Sequence, residues 1–186
     1  MTETGKDVKG APAWRNTVNG RPTVGGAVER ARQTSMQDVI SFSNMTGDRN
    51  PLHYDEELAA GTPFGGLIVQ GGVTSGLLNA IVAEDLPGPG SVFLGVEWRF
   101  VKAVAVGEKI VGRIKITAVR DDKPICNLET TVRNAGGDLC LTGTAVTYTV
   151  PLKLKGRKLA DVTLAAWTRS SGCLCGISFA PPGALA

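Results

Sequence analysis

Between Val82 and Val92 the hydrophobic period of this chain changes, and the change restricts the folds open to it. Upstream, Val69, Val73, Leu77 and Ile81 recur every fourth residue, with Leu78 and Val82 beside them. That is the stripe of a helix packed along one broad face. Gly71, Gly72 and Gly76 lie within the stripe. Each costs a helix about 1 kcal/mol relative to Ala, so a helix that keeps them requires close approach of its backbone to a neighbour, at its N-terminus above all. Asp85-Leu-Pro-Gly-Pro-Gly90 terminates it. Downstream the period is two. Val92, Leu94, Val96, Trp98 and Phe100 alternate, then Ile110, Ile114 and Ile116, then Cys126, Leu128, Thr130 and Val132, then Leu139 through Thr149. Turn residues at 106–108, 120–124 and 134–138 separate these runs. Four successive strands with short links predict an antiparallel sheet. One long apolar helix before them predicts an α+β domain whose sheet wraps that helix.

The segments upstream of the helix are shorter. Ser35-x-x-Asp38 reads as a capping box opening a helix that stops at Gly47. Gly47-Asp-Arg-Asn-Pro-Leu-His53 cannot continue it, because Gly, Asn and Pro together favour a turn. A further short helix is predicted from Asp55, broken at Gly61 and Pro63. Residues 1–34 have no sustained period and read as a loosely ordered N-terminal arm. Residues 151–186 lose the alternation, except that Leu152–Lys155 could extend the last strand.

Charge and cysteines exclude several classes. The chain carries net +3, but residues 151–186 hold five basic residues against Asp161 alone, so the remainder is slightly acidic. A basic face for nucleic acid is not predicted. No apolar run approaches the roughly 18 residues of a spanning helix, and no secretory signal opens the chain. The arm at 1–34 lacks the composition of a transit peptide and Ala-Leu-Ala is not a peroxisomal address. The compartment expected is the cytoplasm, with mitochondrion and peroxisome left open. Cys126, Cys140, Cys173 and Cys175 form no C-x-x-C pair, and with a single His there is no zinc pattern, so free thiols are expected and no metal.

That single His stands in the most constrained loop. Asp48 and His53 flank a Pro-containing turn that can bring both side chains to one point. An acid and an imidazole on one water molecule make a general acid–base pair. The competing reading is that Asp48 caps the turn and His53 is a satisfied loop residue. Gly71 at the helix start offers a free N–H and the positive end of the helix dipole, which can hold an enolate oxygen. Its competing reading is tight helix–sheet packing.

The stretch Phe42-Ser-Asn-Met-Thr-Gly-Asp48-Arg-Asn50-Pro51-Leu-His53 resembles the signature of the MaoC-like hydratases, the (R)-specific enoyl-CoA hydratase group. The likeness continues through Phe64–Gly71, Leu86–Gly90 and Leu94–Phe100, and spans about residues 35–150. It implies a hot-dog fold over 35–150, flanked by the arm at 1–34 and a basic extension at 151–186. It implies a homodimer joined sheet edge to sheet edge, and reversible addition of water to a trans-2-enoyl thioester, with no cofactor beyond the acyl-CoA or acyl-carrier-protein substrate. Asp48 and His53 match the catalytic pair, Asn50 the residue bracing the loop, and Gly71 the oxyanion amide. Two positions depart from the family pattern. Gln70 stands where I-V-H-G has His, and an ungapped count puts Asn79 where many members carry Ser on the central helix, a position from which it could still bond the substrate. A hot-dog thioesterase, recognised by release of free thiol, and a non-catalytic acyl-binding module are the alternative readings.

Overall fold

The computed structural model describes residues 12–152. Within them the strands are β1 (Ala27–Gln33), β2 (Ser91–Phe100), β3 (Lys109–Val119), β4 (Ile125–Asn134) and β5 (Leu139–Thr149). The helices are α1 (Met36–Thr46), α2 (Glu56–Ala60) and α3 (Gly71–Glu84), with 3₁₀ turns at Pro12–Trp14 and Pro51–His53. The expected capping box opens α1: Ser35 takes the Asp38 N–H, and the Asp38 carboxylate takes the Ser35 N–H. Gly47, at φ 81°, closes it in the left-handed conformation that glycine adopts without a Cβ clash.

The strands form one antiparallel sheet in the order β1-β3-β4-β5-β2. It curls around α3, which packs on β1, β2, β3 and β4. This is the predicted hot-dog arrangement. Ile110, Ile114 and Ile116 of β3 meet Leu77, Leu78 and Ile81 of α3 in one fully buried core. Gly112 lies between those isoleucines in the inward register, and a Cβ there would stand 2.9 Å from Leu77 Cγ and 3.1 Å from Ile81 Cδ1. The missing side chain lets the helix sit down on the strand. Cys126 and Cys140 are free thiols in the same core, and burial pushes the Cys126 thiol up to about 12.

Two expectations about α3 change. Val69, the first member of its apolar stripe, precedes the helix and donates its N–H to the Val104 carbonyl at 2.9 Å. The close approaches expected of the helical glycines occur at Gly71, against the Phe100 ring, and at Gly72, against the Phe42 ring, while Gly76 faces open space.

The loose arm expected over 1–34 is corrected from Pro12 onward, and with it the domain boundary at 35. Ala27–Gln33 is a full edge strand paired with β3 from Ala27↔Lys115 to Gln33↔Lys109. It is invisible to a hydrophobic pattern because Glu29, Arg30, Arg32 and Gln33 line it. Trp14 is 2% exposed in the core, and its Nε1 donates to the Arg120 carbonyl at 2.7 Å. A lone Trp among turn residues has no period to reveal it. Residues 1–11 of the expected arm lie outside the described residues. So do 153–186 of the expected extension, with Cys173 and Cys175.

The order of strands adds something that a run of four successive strands does not suggest. β2 lies at one edge, whereas β3 lies beside β1 at the other side. Residues 101–108 must therefore cross the sheet, and on the way they pair with 67–69 through the Ile68↔Ala105 bridge. The crossing places them over the N-terminal end of α3.

Trp14→Ala is expected to destabilise the domain by about 3–5 kcal/mol, read as a lower urea midpoint with an unchanged slope.

Candidate active site

The loop between α1 and α2 is built from short-range hydrogen bonds that its sequence dictates. Gly47 turns the chain out of α1, and the Thr46 hydroxyl takes the Asp48 N–H at 3.2 Å. Asp48 Oδ1 then takes the Asn50 N–H at 3.1 Å, an Asx turn. Asn50 Oδ1 takes the Leu52 N–H at 3.1 Å and caps the 3₁₀ turn, with Pro51 at its first position. His53 ends that turn. Asn50 thus braces the loop through its own side-chain carbonyl.

The outcome is convergence of the predicted pair. Asp48 Oδ2 lies 3.7 Å from His53 Nε2, close enough for both to hold one water but too long for a direct hydrogen bond. His53 is buried and Asp48 is partly exposed. On its other side the imidazole meets the Ile68 carbonyl, with Nδ1 at 2.8 Å. A carbonyl only accepts, so Nδ1 carries a proton toward Ile68, and in the neutral ring it is Nε2, on the side of Asp48, that holds the lone pair.

Gly71 begins α3 three residues beyond Ile68 and is exposed. Its N–H belongs to the first turn, where no helical carbonyl takes it. An apolar cleft of about 360 Å³ opens here, lined by Phe64, Ile68, Val69, Gly71, Thr74 and Phe100 among others. The crossing residues Val101–Val104 form its far wall. His53 reaches this wall at Ile68, which both lines the cleft and holds the imidazole. Asn79 is not brought to this cluster. It lies about 12 Å along α3 from Gly71 at 1.5 Å per residue, and is exposed.

Sequence reasoning missed a buried polar connection beneath these groups. Gln70 Nε2 donates to Ser43 Oγ at 3.0 Å and lies 3.4 Å from the Val39 carbonyl. The Tyr54 hydroxyl donates to the same Ser43 Oγ. Gln70 is 2% exposed, and its Oε1 has no partner among the described residues. The sequence marked Gln70 as a departure from the family's I-V-H-G, at the end of the apolar run Leu67-Ile-Val69, but nothing in it pointed to Ser43 or Tyr54.

A helix end presenting a glycine amide to an apolar cleft, an acid and an imidazole tied to that cleft through the Ile68 carbonyl, and a sheet wrapped around the helix define a hot-dog protein with groups suited to acid–base chemistry. Comparison with known proteins agrees. The family described as MaoC like domain matches residues 21–136, and this chain belongs to that family. The (R)-specific enoyl-CoA hydratase of Aeromonas caviae is 37% identical over 123 residues, covering 66% of this chain and 92% of that protein. The 3-hydroxybutyryl-CoA dehydratase of Methylorubrum extorquens is 34% identical over 129 residues, covering 69% of this chain and 81% of that protein. The solved (R)-hydratase from A. caviae superposes with a TM-score of 0.67 at 35% identity, over 69% of this chain and 98% of that one.

The different anchoring of the pair has a measurable consequence. Asp48→Asn keeps Oδ1 for the Asx turn and changes a partly exposed side chain, so stability should move by no more than about 0.5 kcal/mol. His53→Ala strands the Ile68 carbonyl and should cost about 1–3 kcal/mol. Urea titrations of the two variants check the contrast.

Proposed function

We propose that the chain is an (R)-specific enoyl-CoA hydratase, a hydro-lyase that reversibly adds water to a trans-2-enoyl-CoA to give the (R)-3-hydroxyacyl-CoA. The observation that carries this reading is the approach of Asp48 to His53 at 3.7 Å, with the imidazole held on the carbonyl of Ile68, which lines the same apolar cleft as Gly71. In this reading the thioester carbonyl oxygen accepts the Gly71 N–H, and the acyl group lies against the apolar wall of Ile68, Val69 and Phe100. The carbonyl withdraws electron density from C3. Asp48 and the Nε2 lone pair of His53 hold a water molecule, whose oxygen forms the bond to C3 as the pair takes up one of its protons. The C2–C3 π electrons move toward the carbonyl, leaving an enolate oxygen at Gly71, where the N–H and the helix dipole stabilise it. Collapse of the enolate takes a proton from the pair onto C2. The sum is one water added, with the pair restored and no electron gained or lost, so the reaction needs no cofactor and no metal.

We further propose that the chain works as a homodimer joined along β2. Among the described residues β2 has only β5 beside it, which leaves its other edge without a strand. Val92, Leu94, Val96, Phe100 and Val101 are each about half exposed there. β1, the opposite edge, carries Glu29, Arg30 and Arg32 instead, all three in ion pairs: Glu29 with Arg113, Arg30 with Glu84 and Asp85, and Arg32 with Asp38. Charged edges repel strand addition, whereas a long apolar edge invites it. Phe100 and Val101 also line the cleft, so a second copy on this edge would help close it. Among the described residues no helix is long and apolar enough to cross a membrane.

Incubation with crotonyl-CoA and longer enoyl-CoA esters should bleach the conjugated enoyl absorbance without releasing free thiol. Asp48→Asn and His53→Ala should each lower kcat by about 10²–10⁴-fold. Thiol release in place of hydration, or unchanged rates in both variants, would discard the assignment. Light scattering after size exclusion should give twice the chain mass for the native protein and a single chain mass for Val96→Lys.

A further inference from the structure

Gln70 breaks a local rule that the surrounding chain obeys. It is nearly sealed from solvent at 2% exposure, yet half of its amide is unused, since Oε1 has no partner among the described residues. It also occupies the N-cap position of α3 without capping it. Its side chain turns away from its own helix and spans to α1, where Nε2 donates to Ser43 Oγ at 3.0 Å. An apolar side chain of the same length would fill this space without burying an unsatisfied carbonyl. The donor end is therefore what the site uses.

The bond at Ser43 joins the three pieces of chain that carry the chemistry. Ser43 sits in the last turn of α1, whose end at Gly47 delivers Asp48. Tyr54, the second donor to Ser43, is the residue after His53. Gln70 lies between Ile68, whose carbonyl holds His53 Nδ1 at 2.8 Å, and Gly71. Main-chain bonds already hold the upstream part: Ile68 N–H reaches Leu52 O at 3.3 Å and Val69 N–H reaches Val104 O at 2.9 Å. The side chain of Gln70 is the tie at the step from this extended segment into the helix.

We propose that Gln70, acting through Ser43 and Tyr54, is a positioning residue. It sets the separation between the Asp48–His53 pair and the Gly71 amide, and keeps the Ile68 carbonyl on Nδ1 of the imidazole. It touches no reacting atom. The rate consequences rest on the hydratase reading above, whereas the consequence for the imidazole does not.

The chain contains a single histidine, so ¹⁵N imidazole resonances of a protein without added histidines report His53 alone. The native protein should show the neutral ring fixed with its proton on Nδ1. Gln70→Met, which keeps the length and removes the donor, should convert this to a mixture of tautomers. In the hydratase assay it should lower kcat by about 10–100-fold, the scale of a small misplacement, with KM changed by less than about threefold. Gln70→His, which restores a ring N–H donor, should recover most of the loss, and Tyr54→Phe should cost less in the Gln70→Met background than alone. Ser43→Ala removes the shared acceptor with little change in volume and carries the same comparison should Gln70→Met fail to fold. A fixed tautomer and native kcat in Gln70→Met or Ser43→Ala, with only the melting temperature altered, would overturn the proposal and leave Gln70 a packing residue. If the native protein hydrates no enoyl thioester, the functional reading falls, and the tautomer comparison still decides the role of Gln70.

Discussion

Four consecutive residues, from the Ile68 carbonyl to the Gly71 amide, hold opposite ends of the site through the main chain. The carbonyl accepts from His53 and so fixes which imidazole nitrogen is free. The amide opens α3 with the positive end of the helix dipole behind it. Neither group is a side chain, so neither can be lost by substitution at its own position without a change of backbone. Their spacing depends on how the extended segment enters the helix. That entry is crowded: the Phe42 ring lies where a side chain at Gly72 would be, and the Phe100 ring lies against Gly71. Close packing therefore sets the backbone geometry from both sides, and the two glycines are what allow it.

The buried amide at Gln70 is best weighed against this background. Leaving a buried carbonyl without a donor costs about 1–3 kcal/mol, a sizeable part of the 5–15 kcal/mol by which domains of this kind are stable. A fold under no other demand would place a hydrocarbon there. The bonds that Gln70 and Tyr54 both make to Ser43 join α1, the end of the 48–53 loop and the start of α3. Such a polar junction inside an apolar layer has one low-energy arrangement where hydrocarbon alone would have several.

Legibility of these features in the sequence follows the physics of each. The capping box at Ser35 and Asp38, the stop at Gly47 and the turn at 48–53 are written in short-range hydrogen bonds, and the residues name their own partners. The core face of α3 and the alternation of β3 to β5 are written in burial. β1 escapes because an edge strand guarded by Glu29, Arg30 and Arg32 has no apolar period to display. Gly112 escapes because a missing side chain matters only when the helix above it is known. The hold of Ile68 on His53 is a backbone contact across fifteen residues, and nothing in the identity of Ile68 announces it. Asn79, chosen by counting along a family pattern, lies two turns down the helix from the cluster, where counting gives the position and not the environment.

The two margins of the sheet are unlike, and this bears on how far association can proceed. In the proposed dimer the apolar margin along β2 meets a second copy of itself across a twofold axis, while the β1 margin is guarded by charge. Among the described residues, the strand edges left on the outside of such a pair would be the charged ones. Association built this way would terminate at two chains rather than continue into fibrils.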